Sequence, residues 1–182
     1  MKSKPQSRCC VTSVVPLLLL CLALPLAANS QVVAGVMPKV SAEDLNERAV
    51  NLPAQLPADK TLVLMAFTQD QQAEVDTWVS DMGLSTSDLA WIETPVIDPS
   101  NAFVRAMING GMRRGIPDTR IRERIVTLYT DGAALRRVMG LLSDGKTMVA
   151  LVLDRSGKVL AQAQGRHSAE KAQQLLATLQ AK

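Results

Sequence analysis

Apolar positions along this chain follow two periods, and each change of period marks a new element. The clearest change lies in Met148–Gly165, MVALVLDRSGKVLAQAQG. Met148 to Leu153 is an uncharged apolar run of strand length. Asp154-Arg155-Ser156-Gly157 supplies a turn, because Asp closes a local hydrogen bond and Gly accepts positive φ. Lys158 to Ala163 then alternates, with Val159, Ala161 and Ala163 on one face. This pattern predicts a hairpin at one side of a sheet. Beyond it Ser168 is a good N-cap, and Ala172, Leu175, Leu176 and Leu179 recur at helical spacing.

The upstream chain repeats the switch. Thr61–Phe67 (TLVLMAF) reads as a buried central strand. Val75, Trp78, Val79 and Met82, followed by Gly83, predict a helix from about Gln71 to Met82. Leu89–Ile97 returns to strand pattern. Asp98-Pro99-Ser100 then opens a second helix, with Phe103, Val104, Met107 and Ile108 on one face and Gly110-Gly111 closing it. Ile125–Thr130 (IVTLYT) is another strand. Asp131 caps a short helix carrying Leu135, Val138 and Met139 and stopped by Gly140. Residues 44–52 fit either a short helix, with Ser41 and Asp44 as a capping box, or a small hairpin around Asn46-Glu47, which the alternation favours. Pro53 and Pro57 end any regular element there. Strands alternating with helices, closed by a hairpin and a helix, imply an α/β fold with a mixed central sheet and flanking helices.

Composition changes this picture at the N-terminus. Within residues 1–30, Lys2, Lys4 and Arg8 precede a short apolar core, Val14 to Ala28, and Leu26-Ala27-Ala28 resembles a cleavage site. The core is too short to span a bilayer and is interrupted by Pro16 and Pro25. It reads as a secretory signal, and Leu20 before Cys21 argues against lipidation. Residues 31–43 then form an irregular lead-in and 44–182 a single domain, expected in the periplasm or secreted. Cys9, Cys10 and Cys21 all lie in the leader, so the exported chain holds no cysteine. Three of the 20 Lys and Arg leave with the leader and none of the 17 acids, so the remainder is balanced. With no thiolate and one histidine, His167, the chain offers no peroxidatic site, thiolate cage or conventional triad. No metal, cofactor or catalytic residue is expected.

The charge is polarised nonetheless. Residues 39–98 hold three basic and 11 acidic residues, and residues 105–182 hold 14 and six. Arg113, Arg114, Arg120, Arg122 and Arg124 crowd a Gly- and Pro-containing connection, GGMRRGIPDTRIRER. They either pair with the chain's own acidic half or dock an acidic partner or an anionic membrane surface. Nucleic acid is excluded as a partner class by the neutral balance and the lack of interleaved aromatics. Trp78 and Trp91 lie on faces expected to be buried. Met107, Met112, Met139 and Met148 follow helix and strand faces and read as core rather than metal ligands. His167 reads as a surface residue. Asp70 and Glu74 sit one turn apart on an exposed face, which gives acid–base chemistry no support.

These pieces resemble the thioredoxin-like superfamily, nearest its peroxiredoxin-like and periplasmic cytochrome-maturation branches. Leu151-Val152-Leu153-Asp154 with Gly157 is similar to that superfamily's P-T-T-F-L-I-D-x-x-G-x-I strand pair. DLNERAVNLP before TLVLMAF resembles its D-L-x-G lead-in, with Glu47 where glycine is usual. IVTLYTDGAALRRVMGL resembles its strand and short helix before the last hairpin. The resemblance spans about Asp44 to Leu179 and implies a thioredoxin-like fold. It also implies a W-A-x-W-C-x-x-C motif after Phe67, whose cysteines fall here on Gln72 and Val75. The family's cis-proline, which faces the cysteines and helps hold substrate, falls on Met148, whose peptide bond is expected to be trans.

The expectation is a redox-inactive, exported thioredoxin-fold protein that acts by binding another envelope or secreted protein, as an assembly or folding factor. Thr68, Gln69, Gln72 and Met148 at the old active-site loop, and Arg113, Arg114, Arg120 and Arg124, are the expected docking residues. In the bland reading of that loop, its polar side chains cap the helix. The alternative function is a peroxiredoxin-like oxidoreductase using a bound cofactor instead of cysteine. That reading lacks a G-x-G-x-x-G fingerprint or a P-loop.

Overall fold

A computed structural model describes residues 35–98 and 100–181. Residues 1–30, read as a secretory leader, therefore lie outside the described residues. Seven strands form one mixed sheet: β1 (Val40–Asp44), β2 (Ala49–Leu52), β3 (Lys60–Ala66), β4 (Trp91–Ile97), β5 (Val126–Tyr129), β6 (Val149–Asp154) and β7 (Val159–Gln164). Their order is β2-β1-β5-β4-β3-β6-β7. β3, β4 and β5 are parallel neighbours, and the remaining pairs are antiparallel. Among the described residues there are five α-helices: α1 (Gln72–Asp81), α2 (Ala102–Gly115), α3 (Thr119–Arg122), α4 (Gly132–Val138) and α5 (Ala169–Gln180).

The central strands are buried on both faces, which explains their unbroken apolar runs. One face packs Val63, Met65, Ile92, Leu128 and Leu151 against Leu135 and Met139 at α4. The other packs Leu62, Leu64, Ala150, Val152 and Ala161 beneath α1 and α5, through Val75, Trp78 and Leu175. Both tryptophans are buried as expected. Their indole N–H groups donate to the carbonyls of Gly165 and Leu84, each at 2.9 Å. The β6–β7 turn is as read from the sequence. Asp154 Oδ1 accepts from the N–H of Ser156 and of Lys158, and Gly157 holds φ at 87°. Ser168 caps α5 by accepting from Lys171 N–H.

The residues 44–52 region is the hairpin, not the helix, but its first strand begins at Val40, inside the stretch read as lead-in. Glu47, where the resembling family has glycine, turns the corner at φ 66°.

The largest departure is α2. Asn101 is its N-cap, accepting from Val104 N–H at 3.0 Å. The helix then runs straight through Gly110-Gly111 to Gly115. Neither glycine has positive φ, so neither supplies a left-handed stop. No residue of α2 is buried. Phe103 is 79% exposed and Met107 60%, whereas Val104 and Ile108 of the same predicted face are half-buried, so that face is split between solvent and protein. Met112 is also incompletely buried, leaving only Met139 and Met148 of the four methionines in the core. Val138, expected on the packed face of α4, is exposed as well.

Candidate functional site

The β3–α1 junction is where the resemblance places a dithiol. β3 ends at Ala66, Thr68 begins a 3-10 turn over Gln69–Gln71, and α1 follows. Neither Thr68 nor Gln71 caps a helix with its side chain, so the capping reading of this loop is corrected. Gln71 is buried instead. Its Oε1 accepts from Phe67 N–H at 2.8 Å and its Nε2 donates to the Gly145 carbonyl at 2.7 Å, tying the end of β3 to the loop before β6. Glu74 makes a second tie: its Oε2 accepts from Met148 N–H at 2.9 Å.

Met148 is trans, as expected, and has an N–H that proline would lack. That N–H is taken by Glu74, and the Met148 carbonyl accepts from Gly165 N–H at 2.9 Å. Its side chain is fully buried. Met148 therefore presents no side chain to a partner, contrary to its place among the expected docking residues. Thr68, Gln69 and Gln72 are exposed. Thr68 borders a cleft of about 360 Å³ with Asp131, Lys146 and Arg136, whose guanidinium lies 4.7 Å from the Phe67 ring centroid.

Beneath the first turns of α1 sits a carboxyl that the sequence reading missed. Glu93 lies on β4 and is 7% exposed. Burial raises its pKa from 4.5 to about 7; the Gln72 amide opposes the rise and the Asp76 carboxylate adds to it. Gln72 also donates to Asp76 at 3.1 Å. A signal for it was present, since Glu93 alternates with Ile92 and so shares a face with Trp91, which was expected to be core. The group titrates near neutrality. It lines neither this cleft nor the larger one beside α2.

The five arginines separate. Arg113 pairs with Glu47. Arg122 donates to the carbonyls of Ile116 (2.6 Å) and Arg113 (2.8 Å), sealing the end of α2. Arg124 donates to the Trp91 carbonyl at 3.2 Å, with its guanidinium 5.5 Å from the indole centroid. Arg120 forks onto Asp118 and holds that carboxyl below its usual range. Arg114 is exposed. The connection is thus the end of α2, a short link and α3, and three of its arginines serve the fold. His167, expected at the surface, has only 14% of its side chain exposed. Its ring stands edge-on to Trp78 at 5.2 Å.

Helical spacing aligns Arg114 with Phe103, Met107 and Gly111 on the outer side of α2, and all four are exposed. Among the described residues no cluster of His, Cys, Asp and Glu is placed to hold a metal ion. No helix there is long and apolar enough to cross a membrane.

No family model matches the chain, and no curated protein matches it. Solved structures do. BsSco, a member of the Sco family of cytochrome c oxidase assembly proteins, aligns at TM-score 0.56 and 12% identity, over 84% of this chain and 98% of that one. The thioredoxin domain of a thiol-disulfide oxidoreductase from Bacteroides vulgatus aligns at 0.50 and 13%, over 81% and 96%. The pneumococcal exposed lipoprotein thioredoxin from Streptococcus pneumoniae aligns at 0.50 and 12%, over 77% and 98%. At these identities the likeness is one of architecture, and it agrees with the sheet and helices described above. The chain has the thioredoxin-like fold.

Proposed function

We propose that this thioredoxin-fold chain is exported, is redox-inactive and acts by binding another envelope or secreted protein, as an assembly or folding factor. The observation that carries the reading is the rebuilt β3–α1 junction. Gln72 and Val75 stand where the resemblance puts sulfur, and Gln71 and Glu74 tie the helix to the loop opposite. Thiol–disulfide exchange needs a thiolate, and residues beyond the leader hold none. With that junction occupied by the chain's own side chains, the outer stripe of α2 is the better docking face. An exposed Phe, Met and Arg on one helix are residue types enriched at protein interfaces. BsSco, described as belonging to a family of assembly proteins, has the same fold in such a role. The apolar leader supports export.

The test is in-cell cross-linking of the tagged, exported protein beside a Phe103→Ser/Arg114→Glu variant. One dominant partner, lost in the variant, is the expected result. Equal capture by the variant would remove α2 as the face, and no partner in either would remove the protein-binding reading.

A further inference from the structure

Between α2 and the sheet lies a cleft of about 490 Å³, within the size range of small-molecule sites. Both walls carry polar groups among small apolar ones, Ala102 and Ala106 on the helix and Val40, Ala42 and Ala49 on the strands. Arg105, Asn109 and Arg113 recur at i, i+4 and i+8 on the helix side. On the floor Glu43 of β1 stands opposite Thr127 of β5, and Tyr129 follows two residues on. Thr127 and Tyr129 alternate with Val126 and Leu128, whose side chains join the core on the other face. Of the apolar side chains on α2, only the small Ala102 and Ala106 line this floor. Polar links position it: Tyr129 Oη donates to Asn109 Oδ1 at 2.8 Å, Arg105 lies 4.7 Å from the Tyr129 ring centroid, and Arg113 pairs with Glu47.

Two features of this cleft leave room for a ligand: a buried hydroxyl without a partner, and two exposed charges without an ion pair. Thr127 is 2% exposed, lines the cleft, and its Oγ1 has no hydrogen-bond partner, which is rare for a buried hydroxyl. Arg105 and Glu43 flank the same tyrosine, yet among the described residues neither forms an ion pair. Arg105 spends its Nε on the Ser100 carbonyl at 2.8 Å, leaving both terminal nitrogens as donors.

We propose that this cleft binds a zwitterion carrying an α-ammonium and an α-carboxylate, a free amino acid or a short peptide. The ligand's carboxylate meets the Arg105 guanidinium, whose planar fork suits it. Its ammonium meets the Glu43 carboxylate and the adjacent Thr127 hydroxyl oxygen. This ligand satisfies both unpaired charges and the orphan hydroxyl at once. An anion alone would face Glu43, and a cation alone would face Arg105. The inference does not depend on the protein-binding reading of the outer stripe, because it concerns the opposite side of α2.

The experiment is calorimetric titration of the purified chain with alanine, dialanine and trialanine. N-acetyl-alanine, alanine amide and the doubly blocked N-acetyl-alanine amide serve as charge-deleted controls. At least one zwitterion binds, and removing either charge weakens binding about tenfold or more. Thr127→Val and Arg105→Gln each produce a similar loss with unchanged far-UV circular dichroism, whereas Thr127→Ser retains binding. A preference for alanine over the peptides identifies the ligand as an amino acid, and the reverse order as a peptide. No binding by any of the three zwitterions overturns the proposal. So does equal binding by the doubly blocked compound, or unchanged affinity in both Thr127→Val and Arg105→Gln.

Discussion

Glu74 Oε2 accepts a hydrogen bond from the backbone N–H of Met148 at 2.9 Å, joining residues 74 positions apart. The bond crosses from α1 to the loop that enters β6. The Met148 carbonyl accepts from Gly165 N–H and its side chain lies in the core, so the residue is held through its N–H, its carbonyl and its side chain.

Removing the acceptor leaves that N–H orphaned. Glu74→Ala is expected to cost about 1–3 kcal/mol of stability, and Glu74→Gln, which keeps an oxygen, distinctly less. Urea denaturation of the three proteins checks this. Equal midpoints would mean that water replaces the carboxylate freely.

Glu93 makes stability depend on pH. Its folded pKa of about 7 lies above the ordinary value of 4.5, so between these values the folded state holds its proton while the unfolded state releases one. Stability therefore falls as pH rises through this window, and above it the fold carries a buried carboxylate. The loss amounts to about 3 kcal/mol at most. Glu93→Gln should remove it, flattening this part of the profile and raising stability most at pH 8. Denaturation midpoints measured across the window would show the flattening, and parallel profiles for the two proteins would contradict it.

Glu47 combines a left-handed backbone with an ion pair to Arg113. A non-glycine residue there costs roughly 1–2 kcal/mol, whereas an exposed pair returns about 1 kcal/mol or less. Glu47→Gly should therefore be neutral to slightly stabilising. Arg113→Glu, which sets two carboxylates together, should lower the melting temperature. Arg114→Glu, with no such neighbour, should stay within about 0.5 kcal/mol of the parent. Thermal melts of the three variants separate these outcomes. Charge reversal at Arg113 is thus a poor probe of docking, and Arg114 is the better one.

Gly111 sits in the interior of α2, and a Cβ added there meets no atom within 4 Å. Gly111→Ala should stabilise the protein by about 0.5–1 kcal/mol, the usual difference between these residues in a helix. A melting temperature that fell instead would indicate that the helix breaks at this position.

The order and kind of nearly every element were legible in the sequence. The β6–β7 hairpin with its Asp154–Gly157 turn, α5 behind Ser168, and α1 with its Val75 and Trp78 stripe follow from local rules. Period sets which residues share a face, and turn and cap residues set where an element stops. That Gln72 and Val75 stand where the resemblance puts cysteines was legible as well, because it needs no coordinates. What period cannot show is what stands opposite a face. Phe103, Val104, Met107 and Ile108 were read as one face, but the strands below α2 present Glu43, Thr127 and Tyr129, and the helix turns Arg105, Asn109 and Arg113 toward them, leaving Phe103 and Met107 outside and Val104 and Ile108 half-buried. The five arginines lie close together in sequence, yet a helix turn and a short link sent them to different neighbours. Glu93 and Glu74 were ordinary carboxyls until the tertiary fold set one under α1 and the other against Met148. Burial and long-range hydrogen bonds are properties of pairs distant in the chain, and only the packed sheet decides which pairs meet.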